Sequence, residues 1–197
     1  MYMFDIETLG KSSESVVLSM ACIHFETAID KRPTPQELRD SAFFVKLDAA
    51  DQIKRLHRKV DKSTMEWWAK QCDMVRDKSF TVKPDDVKLE DGVEMLRAWA
   101  KPYGNTPDKW VWARGNLDQL VLDSVEEQLQ VDHVFFFNRW RDVRTAVDFL
   151  YETKTGYCKV DYPGFDPYLH IYKHNPIDDC VYDVMMMLYG VPDETRN

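Results

Sequence analysis

The sequence predicts an α/β domain built around a mixed β-sheet. Two observations predict it: three segments rich in β-formers occupy residues 1–47, and strand-like and helix-like segments alternate after them. At 197 residues, 44% hydrophobic and 13% aromatic, the chain can bury a substantial core. With no repeat, low-complexity tract or long linker to divide it, residues 1–197 are expected to form one domain.

The first strand is carried by MYMFDIETLG. Strand side chains alternate with period 2, so Asp5 and Glu7 share a face. Two carboxylates on a buried face repel and lose hydration, an arrangement that a stable fold avoids or offsets with cations. The polar turn GKSSES leads into a second strand, SVVLSMACIHFET, and SAFFVKL forms a third. STMEWWAKQ opens a helix, with Ser63 at the N-cap and Glu66 three residues later in capping-box spacing. Trp67 and Trp68 are expected to be packing residues. From Val87 to Ala100, positions 89, 92, 93, 96, 99 and 100 are apolar or small at helical spacing.

DKWVWARGN is a short strand that ends in a turn at Gly115 and Asn116. Asn116 can cap the following helix, whose stripe is Leu117, Leu120, Val121, Val125 and Leu129, and Asp118 lies in its first turn, where the helix dipole favours an acid. HVFFFNRW reads as a further strand, followed by a helix from about Arg144 to Glu152, with Asp142 anchoring a turn. Residues Lys154–Lys173 show no period and read as loop. The last helix has Asn175 as N-cap and Pro176 at its first position, and its core stripe is Ile177, Cys180, Val181, Val184 and Leu188.

On this last helix Asp178 falls third and Asp179 fourth. Asp178 has a structural task at hand, reciprocal capping and complementing the helix dipole. Asp179 has none, which marks it as the functional acid. His174, just outside the helix, is free of the helical rise and can lean over a site shared with Asp179. Its pKa near neutrality makes it a candidate base.

Charge and cysteine usage narrow the function classes. Formal net charge is -8, which at first sight argues against nucleic acid as a partner, since phosphate binding relies on Lys and Arg. Local charge differs: KLDAADQIKRLHRKVDKS carries Lys46, Lys54, Arg55, Arg58, Lys59 and Lys62 against three aspartates, and NRWRDVR carries three arginines against one acid. These leave room for a basic track on an acidic protein. Cys22, Cys72, Cys158 and Cys180 form no C-x-x-C pair, so neither a zinc site nor a disulfide framework is expected. Without a run of 18 apolar residues or a signal-type N-terminus, the protein is expected to be soluble and cytoplasmic, with no membrane partner.

The order D-x-E, then Asp after Gly-Asn at a helix start, then H-x-x-x-x-D on the last helix resembles the DEDDh exonucleases of the ribonuclease H-like superfamily. Their three motifs match DIET, GNLD and HNPIDD. The closer likeness is to the exonuclease A (DexA) group of large tailed phages, and it extends to STMEWWAKQ, RDVRTAVDFL and HNPIDDCVYDVMMM. A sister subtype places tyrosine four residues before the last acid. Asn175 stands there, so the histidine subtype matches better.

The resemblance implies a ribonuclease H-like mixed sheet flanked by helices. It also implies a metal-dependent 3'-to-5' exonuclease that releases nucleoside monophosphates from single-stranded ends, DNA more readily than RNA. By the same resemblance Asp5 bridges two Mg²⁺ or Mn²⁺ ions, Glu7 and Asp179 hold the ion that positions the water, Asp118 supports the second, and His174 takes the water's proton. Thr8 and Leu9 are implied contacts to the terminal nucleotide. The chemistry agrees: four carboxylates can share a site when divalent cations neutralise them, and hard oxygen ligands suit these metals. Two alternatives differ in substrate or class. One is an exoribonuclease of the same fold, since DNA and RNA differ at the 2'-OH. The other is a non-catalytic nucleic-acid-binding module, which has no reason to concentrate negative charge where phosphate must sit.

Overall fold

The structure, a computed structural model, describes residues 1–104 and 109–192. β1 (Tyr2–Thr8) pairs antiparallel with β2 (Val17–His24), and their register shifts between Glu7 and Thr8. α1 (Pro35–Ser41) starts on a capping box of Thr34 and Glu37 and leads to β3 (Phe43–Lys46). α2 (Ala49–Arg55), α3 (Lys62–Trp68) and α4 (Asp73–Val75) follow, with a π turn over Arg76–Phe80. Then come α5 (Leu89–Ala100), β4 (Val111–Ala113), α6 (Leu117–Leu129), β5 (Trp140–Asp142) and α7 (Val143–Tyr151). The chain finishes with β6 (Lys159–Val160), α8 (Pro167–His170), α9 (Pro176–Tyr189) and β7 (Gly190–Val191).

The main sheet has the order β3-β2-β1-β4-β5, with β4 and β5 parallel to β1 and β2 antiparallel to its neighbours. β1 is therefore central, and it needs apolar residues on both faces. Tyr2, Phe4 and Ile6 enter the core shared with α5 and α6, whereas Met3 enters the core under α7 and α9. Period 2 puts Asp5 and Glu7 on the α9 face, beyond Met3. α5 packs close to the sheet at Gly92, where a Cβ would stand 2.5 Å from Leu47 Cδ2. The apolar positions expected for α5 and α9 face their cores.

Several local expectations change. α3 begins at Lys62, capped by Asp61, whose carboxylate accepts from the amides of Ser63 and Thr64, so Ser63 is not the cap. In α6 Leu120 is exposed and Leu122 takes the buried place, while Asn116 makes no capping hydrogen bond. HVFFFNRW is not a strand: only Trp140 of it pairs, within Trp140–Asp142, because β4 offers just three residues as a partner. Its apolar character serves packing instead, with Phe135 against the rings of Tyr2 and Phe4. The segment read as loop contains β6 and α8. Asp108, at the start of DKWVWARGN, lies outside the described residues. All four cysteines are free, and no helix among the described residues is long and apolar enough to cross a membrane.

Candidate active site

The C-terminal end of β1 is where the sequence-predicted acids meet. Asp5 and Glu7 project from one face of the strand, Asp118 comes from the first turn of α6, and Asp179 from the first turn of α9; with His174 they line one cleft. The register shift at Glu7 and Thr8 lies at this point, a usual place for a strand to re-aim its side chains. Asp118 is 7% exposed, and its Oδ1 accepts the amide of Ile6 at 3.2 Å, tying α6 to the acidic strand. Asp142, expected to anchor a turn, does so: it accepts from Gly115 N at 2.9 Å and caps α7 through the amides of Arg144 and Thr145.

His174 sits in the left-handed region at φ +68°, a conformation with a cost for a residue bearing a side chain. Its amide donates to Asp179 Oδ2 at 2.7 Å, which fixes the turn ahead of α9. Its ring meets that of Trp67 edge to face, with centroids 4.6 Å apart and planes at 88°. Ligand atoms of Glu7, His174 and Asp179 all lie within 4.8 Å of one another.

The electrostatics are those of carboxylates crowded together and shielded from water. Burial, then repulsion from Glu7, Asp118, Asp179 and Asp183, holds Asp5 well above the ordinary carboxylate range. Burial and the charges of Asp179 and Asp118 do the same to Glu7. Burial pushes Asp118 up to about 7 against the opposing hydrogen bond from Ile6, and Asp179 up to about 7 against that from His174. His174 is moved down by burial and by the nearby Lys173. Asp5 Oδ2 is enclosed and makes no hydrogen bond among the described residues. An enclosed oxygen without a donor, amid further carboxylates, fits a hard divalent cation, so the residues present suit the expected metal.

Asp178 faces elsewhere. Its Oδ1 accepts from Arg39 Nε at 3.0 Å and its Oδ2 from Tyr172 N at 3.3 Å and Asn175 Nδ2 at 3.1 Å. Its task is structural as expected, but through Arg39 and the preceding turn rather than through reciprocal capping. Thr8 borders a recess beside the acids, with its Oγ1 donating to Gly10 O and its carbonyl accepting from Trp68 Nε1 at 3.0 Å. Leu9 differs from the expectation of a nucleotide contact: it is 4% exposed in the core under Trp68. Its amide and carbonyl are already bonded to Val16 O and Asp61 N.

Sequence reasoning missed several residues. Trp68 is buried as expected, but Trp67 is 39% exposed and forms a wall of the recess beside Glu7. Asp183, one helical turn after Asp179, is buried in the cleft and paired with Arg114, Nε to Oδ1 at 3.0 Å. The i, i+4 spacing of the two aspartates was the available signal. Arg144, Lys173 and Tyr157 line the same cleft. The first basic stretch is no track: Lys46, Arg55 and Lys59 are ion-paired, and Arg58 is buried against the carbonyls of Ser13 and Ser15.

Comparison with known proteins agrees with this geometry. The family model of the Rv2179c-like domain, described as a 3'-5' exoribonuclease domain, matches residues 1–190. An exodeoxyribonuclease of Enterobacteria phage T4 is 26% identical over 207 residues, covering 96% of this chain and 88% of that protein. Among solved structures, the nuclease domain of 3'hExo, a DEDDh family member bound to rAMP, superimposes with a TM-score of 0.57 at 12% identity, covering 98% of this chain and 96% of that one. A full-length 3'-exonuclease superimposes with a TM-score of 0.55 at 10% identity, covering 96% and 84%. These neighbours share the ribonuclease H-like fold, a mixed five-stranded sheet flanked by helices. The chain thus belongs to the Rv2179c-like 3'-5' exoribonuclease domain family, is a 3'-5' exonuclease, and shares its fold with the nuclease domain of a DEDDh family member.

Proposed function

We propose that residues 1–197 act as one metal-dependent exonuclease domain that hydrolyses phosphodiester bonds at single-stranded 3' ends of DNA and releases nucleoside monophosphates. The observation that carries the metal dependence is the cluster itself: four recessed carboxylates converge, and Asp5 Oδ2 is enclosed without a donor among the described residues. Asp5, Glu7, Asp118 and Asp179 would hold two Mg²⁺ or Mn²⁺ ions. When bound, such ions activate water and neutralise the charge that develops on phosphate oxygens.

His174 acts as the base. Its depressed pKa keeps the ring neutral at pH 7 and able to accept a proton, and the edge contact with Trp67 limits its rotation. The recess lined by Thr8, Trp67, Trp68 and Leu117 receives the terminal nucleoside, with Trp67 as a face for the base. Leu9 supports this wall from the core.

DNA as substrate is favoured by the T4 relative, which aligns with nearly the whole chain. RNA is the second reading, favoured by the family description and by the rAMP in the DEDDh neighbour. The test is digestion of matched 5'-labelled single-stranded DNA and RNA oligomers with Mg²⁺ or Mn²⁺. Stepwise 3' shortening, faster on DNA, is expected. Faster loss of RNA selects the second reading, and no metal-dependent digestion of either overturns both.

A further inference from the structure

A strand of phosphates approaching this cleft meets a cluster of carboxylates, so cations at its edge must draw it in. Three line the carboxylate cleft: Arg114, Arg144 and Lys173. Arg114 is already engaged, by both oxygens of Asp183 and by Gly156 O at 3.0 Å. The side chains of Arg144 and Lys173 make no hydrogen bond or ion pair among the described residues. We propose that Arg144 and Lys173 hold the substrate's backbone phosphates on the 5' side of the bond being cut, so that the strand leaves the carboxylates along this wall. The proposal rests on the exonuclease reading above.

The wall is built. Gly156, at φ +69°, lets the stem of Arg144 lie directly against it, because a Cβ there would stand 2.7 Å from Arg144 Cγ. Its amide donates to Asp148 Oδ1 at 2.7 Å, which fixes the turn to α7, the helix that carries Arg144. The next residue, Tyr157, presents its ring to Arg114 Cζ at 4.2 Å and to Lys173 Nζ at 5.7 Å from the centroid. One turn, residues 156–157, thereby locates both cations beside the acids, with Lys173 over the Tyr157 ring and Arg144 attracted at longer range by Asp118 and Asp183.

The direction of the strand follows from the two sides of the site. The recess on the Trp67 side is walled by indole rings, Leu117 and hydroxyls, with Lys11 as its one cation, and suits a nucleoside. Thr64 Oγ1 there is enclosed and makes no hydrogen bond among the described residues. The opposite side offers two cations whose side chains make no hydrogen bond or ion pair among the described residues, and it suits phosphates. A 3' exonuclease of this kind releases the terminal nucleotide as its monophosphate, whose nucleoside occupies that recess, so the 5' continuation lies on the side away from it.

The experiment compares the parent with Arg144→Gln, Lys173→Gln and the double variant on a ten-nucleotide single strand and on a dinucleotide, whose only phosphodiester is the one cut. On the ten-mer, KM should rise roughly tenfold per variant with kcat little changed. The slope of log(kcat/KM) against log salt should shrink by about 0.7 for each lost contact. On the dinucleotide the variants and the parent should converge. Arg144→Lys should recover most of the loss, and Gly156→Ala, which displaces the Arg144 stem, should reproduce it. An active parent whose variants keep its KM and salt slope on the ten-mer overturns the proposal and leaves the exonuclease reading intact. So do variants that lose kcat equally on both substrates, since the residues would then act within the carboxylate site. A parent inactive on every oligomer with either metal overturns the reading and the assignment together.

Discussion

Among the described residues, two places bring together side chains of metal-binding type, and they differ in one respect. Glu7, His174 and Asp179 form one group, and Asp123, Glu126 and His133 form the other, each with ligand atoms within 4.8 Å. In the second, Glu126 is fully buried, yet both its oxygens are satisfied: Oε1 accepts Val134 N at 2.7 Å and Oε2 lies 2.8 Å from His133 Nδ1. That cluster closes the turn after α6. In the first, the neighbouring Asp5 Oδ2 has no hydrogen-bond partner among the described residues; burial holds carboxylates above their ordinary range in both groups, so the unpartnered oxygen is what differs. Acid count is the same kind of signal in both; unsatisfied bonding capacity separates a candidate reaction centre from a structural lock.

The comparison breaks most decisively at the metal ligands. Asp5→Ala and Asp118→Ala should abolish digestion and remove most of the Mg²⁺-induced rise in melting temperature, a gain on the order of 2.7 kcal/mol at a hundredfold excess over Kd in the parent. Glu126→Ala should leave both readouts at the parent level. An active Asp5→Ala, or a Glu126→Ala without the Mg²⁺ shift, would exchange the roles of the two clusters.

His174→Ala comes next, with a rate loss of roughly 10²- to 10⁴-fold and little change in the Mg²⁺ shift. His133→Ala should not slow digestion. Equal rates for the parent and His174→Ala would require a different base.

Stability discriminates more finely. Glu126→Ala leaves a buried amide without its acceptor and should cost about 1–3 kcal/mol in denaturant unfolding. Asp178→Asn weakens a partly buried pair with Arg39 and should cost about 1–2 kcal/mol while activity survives. Asp179→Asn removes like-charge repulsion, so its metal-free melting temperature should equal or exceed that of the parent while activity is lost. An inactive Asp178→Asn beside an active Asp179→Asn would reverse the assignment.

The smallest effect is a pH dependence. The folded-state values of Asp5, Glu7, Asp118 and Asp179 are raised, so the native protein holds their protons more tightly than the unfolded chain does. Metal-free stability should therefore decline as pH rises from about 4 through about 7, where Asp118 and Asp179 ionise, and saturating Mg²⁺ should flatten or reverse the trend. A metal-free melting temperature that climbs steadily over this interval would show that the cluster is not the strained element.

Much of the cleft was legible because its signals are short in sequence. Period 2 alone puts Asp5 and Glu7 on one face, and the 100° turn between successive helical residues alone separates Asp178 from Asp179. The misreadings have a common origin. HVFFFNRW has the composition of a strand, but a strand needs a partner of its own length, and β4 has three residues. Trp67 and Trp68 are indistinguishable in sequence; α3 docks through Trp68 Nε1 on Thr8 O, which leaves Trp67 facing His174.

The faces on which Asp5, Glu7 and Asp179 lie, the order of most elements and the motifs that carry the family resemblance can all be read from consecutive residues. The tertiary structure alone decided which charges are satisfied. Asp118 meets Ile6 across 112 residues, Arg39 meets Asp178 across 139, and Arg114 meets Asp183 across 69, while Arg144 and Lys173 remain open beside the cleft. Periodicity is a property of a few consecutive residues and can be read from them. A charge is neutralised by whatever the fold brings within about 4 Å of it, and no window of sequence contains that distance.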